Sequence, residues 1–198
     1  MREVVRPWYG RVLTIFIAAI CLAVTTAVVF QDGWADAATV APWTGLVAVA
    51  CWATFWRPCV AVSDAGVQIV NVSRTIDVPW PALEDLDTKW ALTLVTAFGR
   101  FTAWSAPAPG ARHAMQSTVS ERAARRRPDP VAAVRPGDLA DTPSGSAAVV
   151  VRERWERLRR AGHLDDPRLE RERAEVHWHV GTAATAVALI VVGVIVNM

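Results

Sequence analysis

The stretch from Arg57 to Pro109, RPCVAVSDAGVQIVNVSRTIDVPWPALEDLDTKWALTLVTAFGRFTAWSAPAP, decides the fold. It is where the chain leaves helical periodicity for the two-residue alternation of strands. The runs Cys59–Ser63, Gly66–Val72, Thr75–Trp80, Trp90–Thr96 and Arg100–Trp104 each have the ordinary strand length of about five to seven residues. Ile76, Val78 and Trp80 alternate with Thr75, Asp77 and Pro79, and Trp90, Leu92 and Leu94 alternate with Ala91, Thr93 and Val95. One face of each run is therefore expected to bury. Ser63-Asp64-Ala65-Gly66, Asn71-Val72-Ser73-Arg74 and Phe98-Gly99-Arg100 supply the Asp, Asn and Gly that tight hairpins need. The pattern predicts an antiparallel meander. Pro79 and Pro81 cannot donate to a ladder, so the sheet must bend or break there, with Trp80 plugging a core edge.

The segment RPCVAVSDAGVQIVNVSRTIDVPWPALEDLD followed by LTLVTAFGRFTAWSAPAP resembles the bacterial pleckstrin-homology-like (PH-like) domain of the low molecular weight protein antigen 6 type, found in actinobacterial membrane proteins. The later RWERLRRAGHLDDPRLE, then Trp178-His179 before a final apolar run, is similar to the tail of longer members. The resemblance implies a bent antiparallel sheet closed by a C-terminal helix. It brings no catalytic residues with it.

Outward from the meander, the composition is that of a membrane protein, with 53% hydrophobic residues and a mean hydropathy of +0.24 over 198 residues. Val12 to Phe30 is uncharged and about as long as a bilayer crossing requires; Val40 to Trp56 follows, and Val180 to Val196 comes last. Residues 31–39 are read as the loop of an N-terminal hairpin. No charged residue or histidine interrupts the three spans, which argues against an ion path. Ala19, Ala23 and Ala27, Gly181 with Thr185, and Ala184 with Ala188 recur every four residues, a spacing that serves packing within the chain or a homo-oligomer.

The expected organisation is an α+β integral membrane protein. Residues 1–56 carry the transmembrane hairpin, and residues 57–127 form the PH-like domain, closed by a helix over Gly110–Arg127. Residues 128–146 make a Pro/Gly-rich linker, residues 147–179 amphipathic and juxtamembrane helices, and residues 180–198 a third span. Val151, Trp155 and Leu158 give the helix Ala147–Ala161 one apolar stripe, and its mixed charges favour docking on the sheet or a partner over lying on a membrane. A further helix starts at Pro167 and leads through Val176-His177-Trp178-His179 into the last span.

Candidate contacts are few. Arg122, Arg125, Arg126 and Arg127 could meet anionic headgroups, and Trp56, His177, Trp178 and His179 are read as interfacial anchors. His177 and His179 lack the companions that a metal site needs, the cysteines Cys21, Cys51 and Cys59 read as packed free thiols, and neither a phosphate loop nor a nucleophile elbow is present. No cofactor and no nucleic acid partner is expected, given a net charge of +2. The leading function is a non-catalytic adaptor that binds another protein at the cytoplasmic face. The alternative is a sensor of anionic lipid headgroups, with an accessory subunit of a membrane complex or an unrecognised enzyme ranked below both.

Orientation follows from basic residues beside the spans. Arg2, Arg6 and Arg11 precede the first, Arg57 follows the second, and Arg168, Arg171 and Arg173 precede the third, whereas the hairpin loop carries only Asp32 and Asp36. In a cell membrane the N-terminus and residues 57–179 should be cytoplasmic and the C-terminus outside. In a variant lacking Cys21, Cys51 and Cys59, a cysteine at Asn197 should react with an impermeant maleimide on intact cells, and one at Ser144 only after lysis. Labelling of both from one side would overturn this topology.

Overall fold

The computed structural model describes residues 3–107, 143–164 and 173–198, which divide into two compact units. One unit is built on strands. Strands β1 (Glu3–Val5), β2 (Cys59–Val62), β3 (Gly66–Val70), β4 (Arg74–Pro79) and β8 (Glu175–Trp178) form a sheet in the order β1-β2-β3-β4-β8. Strands β5 (Leu83–Asp87), β6 (Ala91–Thr96) and β7 (Gly99–Pro107) form a second, in the order β5-β6-β7. Every pairing whose register is described is antiparallel.

Alternation sets what lies inside. Val60 pairs with Ile69 and Ile69 with Ile76, while Val62 pairs with Val67 and Val67 with Val78, so two rows of apolar side chains cross β2, β3 and β4 on one face. All of these are buried, together with Leu83, Leu86, Leu92 and Leu94 from the second sheet. Each such side chain contributes roughly 1.5–3 kcal/mol by leaving water. Between the sheets, Trp80–Ala82 make one turn of 3-10 helix at the expected proline break. Trp80 is buried there, and its Nε1–H donates to Ser63 O at 2.9 Å.

Helix α3 (Pro143–Arg160) closes this core. Ala147, Ala148 and Val151 are buried in it, Trp155 and Leu158 pack against it, and the helix lies on β6 and β7. Its Arg154 forms an ion pair with Asp64 of the β2–β3 turn. The stripe read from the sequence is thus the docking face.

Several expectations need correction. β1, β5 and β8 were not foreseen as strands. β8 occupies the stretch expected to be helical up to the last span, and Leu83–Asp87 pairs with β6 despite its run of carboxylates. Trp90, expected on the buried face with Leu92 and Leu94, is 80% exposed because it precedes the first paired residue, Ala91. Helix α3 starts at Pro143, so Ser144, placed in the linker, is helical and fully buried. A cysteine there would be shielded from either side; Glu153, exposed on the same helix, is the better reporter of sidedness. The expected helix over Gly110–Arg127, the linker residues 128–142 and the start of the juxtamembrane helix at residues 165–172 lie outside the described residues.

The second unit, Pro7–Pro58 with Val72–Arg74 and His177–Met198, is mainly helical and takes in the first residue of β4 and the end of β8. Helix α1 (Trp8–Gln31) and helix α2 (Trp34–Cys51), which continues through a π-helical turn to Trp56, are long and apolar enough to cross a membrane. Helix α4 (Val180–Val196) is apolar but shorter, at 17 residues. The α1–α2 connection is only Asp32-Gly33, much tighter than the loop expected over residues 31–39, and Gly33 supplies the positive φ of 94° that this reversal requires. Small and hydroxyl-bearing residues fill the seam. Thr25 Oγ1 and Thr44 Oγ1 share a hydrogen bond of 2.9 Å, and a β-carbon on Gly10 would fall 2.4 Å from Phe55 O. Gly193 of α4 sits against Trp43 in the same manner. Ala19, Ala23 and Ala27 are exposed, as are Gly181, Thr185, Ala184 and Ala188, so those stripes are not the seam.

Gly66 gives the sharpest packing test. An added β-carbon would lie 2.3 Å from Val78 O and 2.9 Å from Pro79 Cα, both backbone atoms that cannot swing away. Gly66→Ala should therefore destabilise the strand unit by about 1–3 kcal/mol, read as faster amide exchange across β3 and β4. Gly181→Ala, which meets nothing within 4 Å, should leave that exchange unchanged.

Candidate functional site

Three features of the described residues are not explained by core packing alone. The first is a pocket of about 610 Å³ on the strand unit, lined by Ser63, Gly66, Gln68, Asp77 and Pro79 together with Arg173 and Glu175 from the chain just before and within β8. Ala61, Gln68 and Asp77 stand side by side across β2, β3 and β4, and Gln68 Nε2 donates to Asp77 Oδ1 at 2.7 Å. The Arg173 guanidinium lies 5.1 Å from the ring centre of Phe98. The lining can hold a polar group. Among the described residues its lining has no histidine, and its Ser63 hydroxyl is engaged in the turn, where Ser63 Oγ donates to Gly66 O at 3.1 Å.

The second feature is aromatic. Trp90, Trp104 and Phe98 project from the β6–β7 region at 80%, 59% and 45% exposure. Lys89 lies 5.7 Å from the Trp90 ring centre. Trp104 points outward by plain alternation in β7, with Thr102 exposed and Ala103 buried before it, and the β6–β7 register shifts between Ala91 and Thr93. The free edge of β7 beside it is held by one side chain. Asn71 Nδ2 donates to Thr102 O and Asn71 Oδ1 accepts from the Trp104 amide, both at 2.8 Å.

The third lies in the helical unit, where the interfacial residues read from the sequence fall. Arg11 stacks over Trp56 at 5.6 Å, Arg57 over Trp52 at 5.4 Å and Arg74 over Trp178 at 5.5 Å. His179 precedes α4 and fastens the β3–β4 turn: its amide donates to Ser73 O at 2.8 Å, and its Nδ1 lies 3.2 Å from Val72 O. The structure thus brings Trp56, Trp178 and His179 to one end of the helices, while His177 is exposed within β8. Sequence reasoning missed Arg11, Arg57, Arg74 and Trp52 as partners of these residues. Only the adjacency of Trp56 and Arg57 hinted at them. Arg122, Arg125, Arg126 and Arg127 lie outside the described residues. Among the described residues no cluster of His, Cys, Asp and Glu could hold a metal ion.

Residues 57–154 match a family model described as a bacterial PH domain. The matched span runs through β2–β7 and into α3 as far as Arg154, so it takes in Ala147, Ala148 and Val151, the buried residues of the helix packed on the sheets. That stretch is therefore similar to a bacterial PH domain; PH domains are binding modules for proteins or lipids and are generally non-catalytic. No curated protein and no solved structure matches the chain.

The turn fastened by His179 yields a direct test. His179→Ala removes the ring contact to Val72 O and leaves the backbone bond to Ser73 O. Amide exchange over residues 72–74 should accelerate by about tenfold, equivalent to one net hydrogen bond, with exchange in β6 and β7 unchanged.

Proposed function

We propose that this chain is a membrane-anchored, non-catalytic adaptor whose PH-like domain binds another protein at the cytoplasmic face. The observation that carries this reading is the exposure of Trp90, Phe98 and Trp104 on a unit whose core is already filled. Large aromatic rings left in water are the residues that anchor protein interfaces, because they bury much area at small entropic cost. Lys89 and Arg100 share the β5–β7 region with Glu84, Asp85 and Asp87, a mixture poorly suited to phosphoinositides, which are held by several convergent cations.

The anchor is the helical unit. Helices α1 and α2 supply two lengths that suit a bilayer, and α4 is read as a third crossing. The distribution of charge supports a cytoplasmic N-terminus and PH-like domain, since Arg11 and Arg57 flank one end and Asp32 and Asp36 the other. The closer resemblance to the antigen 6 type of actinobacterial membrane protein belongs to this same reading.

The test is comparative crosslinking in native membranes. The full chain should yield a reproducible protein partner that is lost in the Trp90→Ala/Trp104→Ala double variant, while the variant keeps its expression level and its β6–β7 amide protection. Retention of the partner by the double variant, or capture of nothing but the chain itself, would defeat the adaptor reading.

A further inference from the structure

We propose that Arg11, Arg57 and Arg74 form a site for the phosphate of an anionic phospholipid headgroup. The proposal rests on the membrane anchoring argued above. The three arginines come from separate parts of the chain: the first turns of α1, the exit from the π-helical turn, and the first residue of β4, beside the β3–β4 turn. Each is laid over a different tryptophan, at 5.4–5.6 Å from the ring centre. A guanidinium held near a ring by cation–π attraction has five N–H donors, so N–H groups remain to donate to a phosphate oxygen.

Two of the arginines are fixed further. Arg57 Nη1 donates to Thr182 Oγ1 at 2.7 Å, and the turn beside Arg74 is tied to His179 through Ser73 O and Val72 O. Among the described residues none of the three makes an ion pair, whereas Arg154 and Arg160 both do. The cations thus gather at the end where α1 and α4 begin and α2 finishes. The opposite end presents Asp32 and Asp36, and Asn197 Nδ2 there donates to Thr39 O at 3.2 Å. Tryptophans at a membrane boundary sit at headgroup depth, so the guanidinium groups stacked on them would meet lipid phosphate.

Thermal unfolding of the full chain in a neutral detergent tests this, with phosphatidylglycerol, phosphatidylcholine or inorganic phosphate added at equal phosphate concentration. Phosphatidylglycerol should raise the unfolding temperature by about 5 °C more than phosphatidylcholine, and inorganic phosphate should give no such rise. The difference should vanish in Arg11→Gln/Arg57→Gln/Arg74→Gln. It should return in part when the three positions carry lysine, which keeps the charge but not the planar fork. If the glutamine variant does not fold, the lysine variant and loss of the wild-type gain in 0.5 M salt answer the same question. Equal stabilisation by the two lipids, an equal effect of inorganic phosphate, or an undiminished gain in a folded glutamine variant would each overturn the site. Failure of the anchoring itself reads differently, as a chain that stays dispersed without detergent.

Discussion

The close approach of α3 to the second sheet is the constraint on which the strand unit depends. Two small sheets leave an apolar flank that no strand covers, and the helix covers it with Ala147, Ala148 and Val151. The facing strand is small as well, since Ala103 and Ala106 of β7 are buried in the same cluster. Alanine on both sides lets backbone come near backbone, and larger side chains would force the helix off the sheet and reopen the core. The Arg154–Asp64 pair cannot replace this, because an exposed ion pair contributes little in water.

Within the membrane proposed above for it, the helical unit obeys a different rule. In lipid there is no hydrophobic gain from bringing two apolar helices together, so contact depends on close packing and on a few polar bonds. Gly10 against Phe55, Gly193 against Trp43, and the hydroxyls of Thr25 and Thr44 meet that need. Cys51 Sγ lies 4.0 Å from Thr14 Oγ1 in the same seam, which accounts for a buried thiol without any redox chemistry. The alanine stripe that looked suited to packing lies elsewhere on α1. Small-residue spacing marks a face that permits contact, and the partner decides which face is used.

Much of the meander was legible because alternation and turn residues agree there. Val67, Ile69, Ile76 and Val78 announce one buried face, and Gly66 and Gly99 mark reversals. The strands that escaped notice are those with weak local signals. Glu3–Val5 is three residues long and abuts a helix, Leu83–Asp87 is an edge strand whose carboxylates protect it from unwanted pairing, and Glu175–Trp178 reads equally well as the approach to α4. Amphipathicity identified α3, although sequence alone did not show that it closes the core. Of the candidate site, the aromatic anchors were visible as residue types beside apolar spans. Their arginine partners were not, since Arg11 with Trp56 and Arg74 with Trp178 meet only through tertiary structure.

The amide of Asn71 has a consequence for evolution and for assembly. By donating to Thr102 O and accepting from the Trp104 amide, it imitates the outer rung of a missing strand. An extended peptide seeking to lengthen the sheet at this point would find those two backbone groups already occupied. A partner of the kind proposed above would then meet Trp104 through side-chain shape rather than through a shared ladder, which any sequence can join. Replacement of Asn71 by a residue unable to both donate and accept would leave those two groups of β7 open to pairing with another strand.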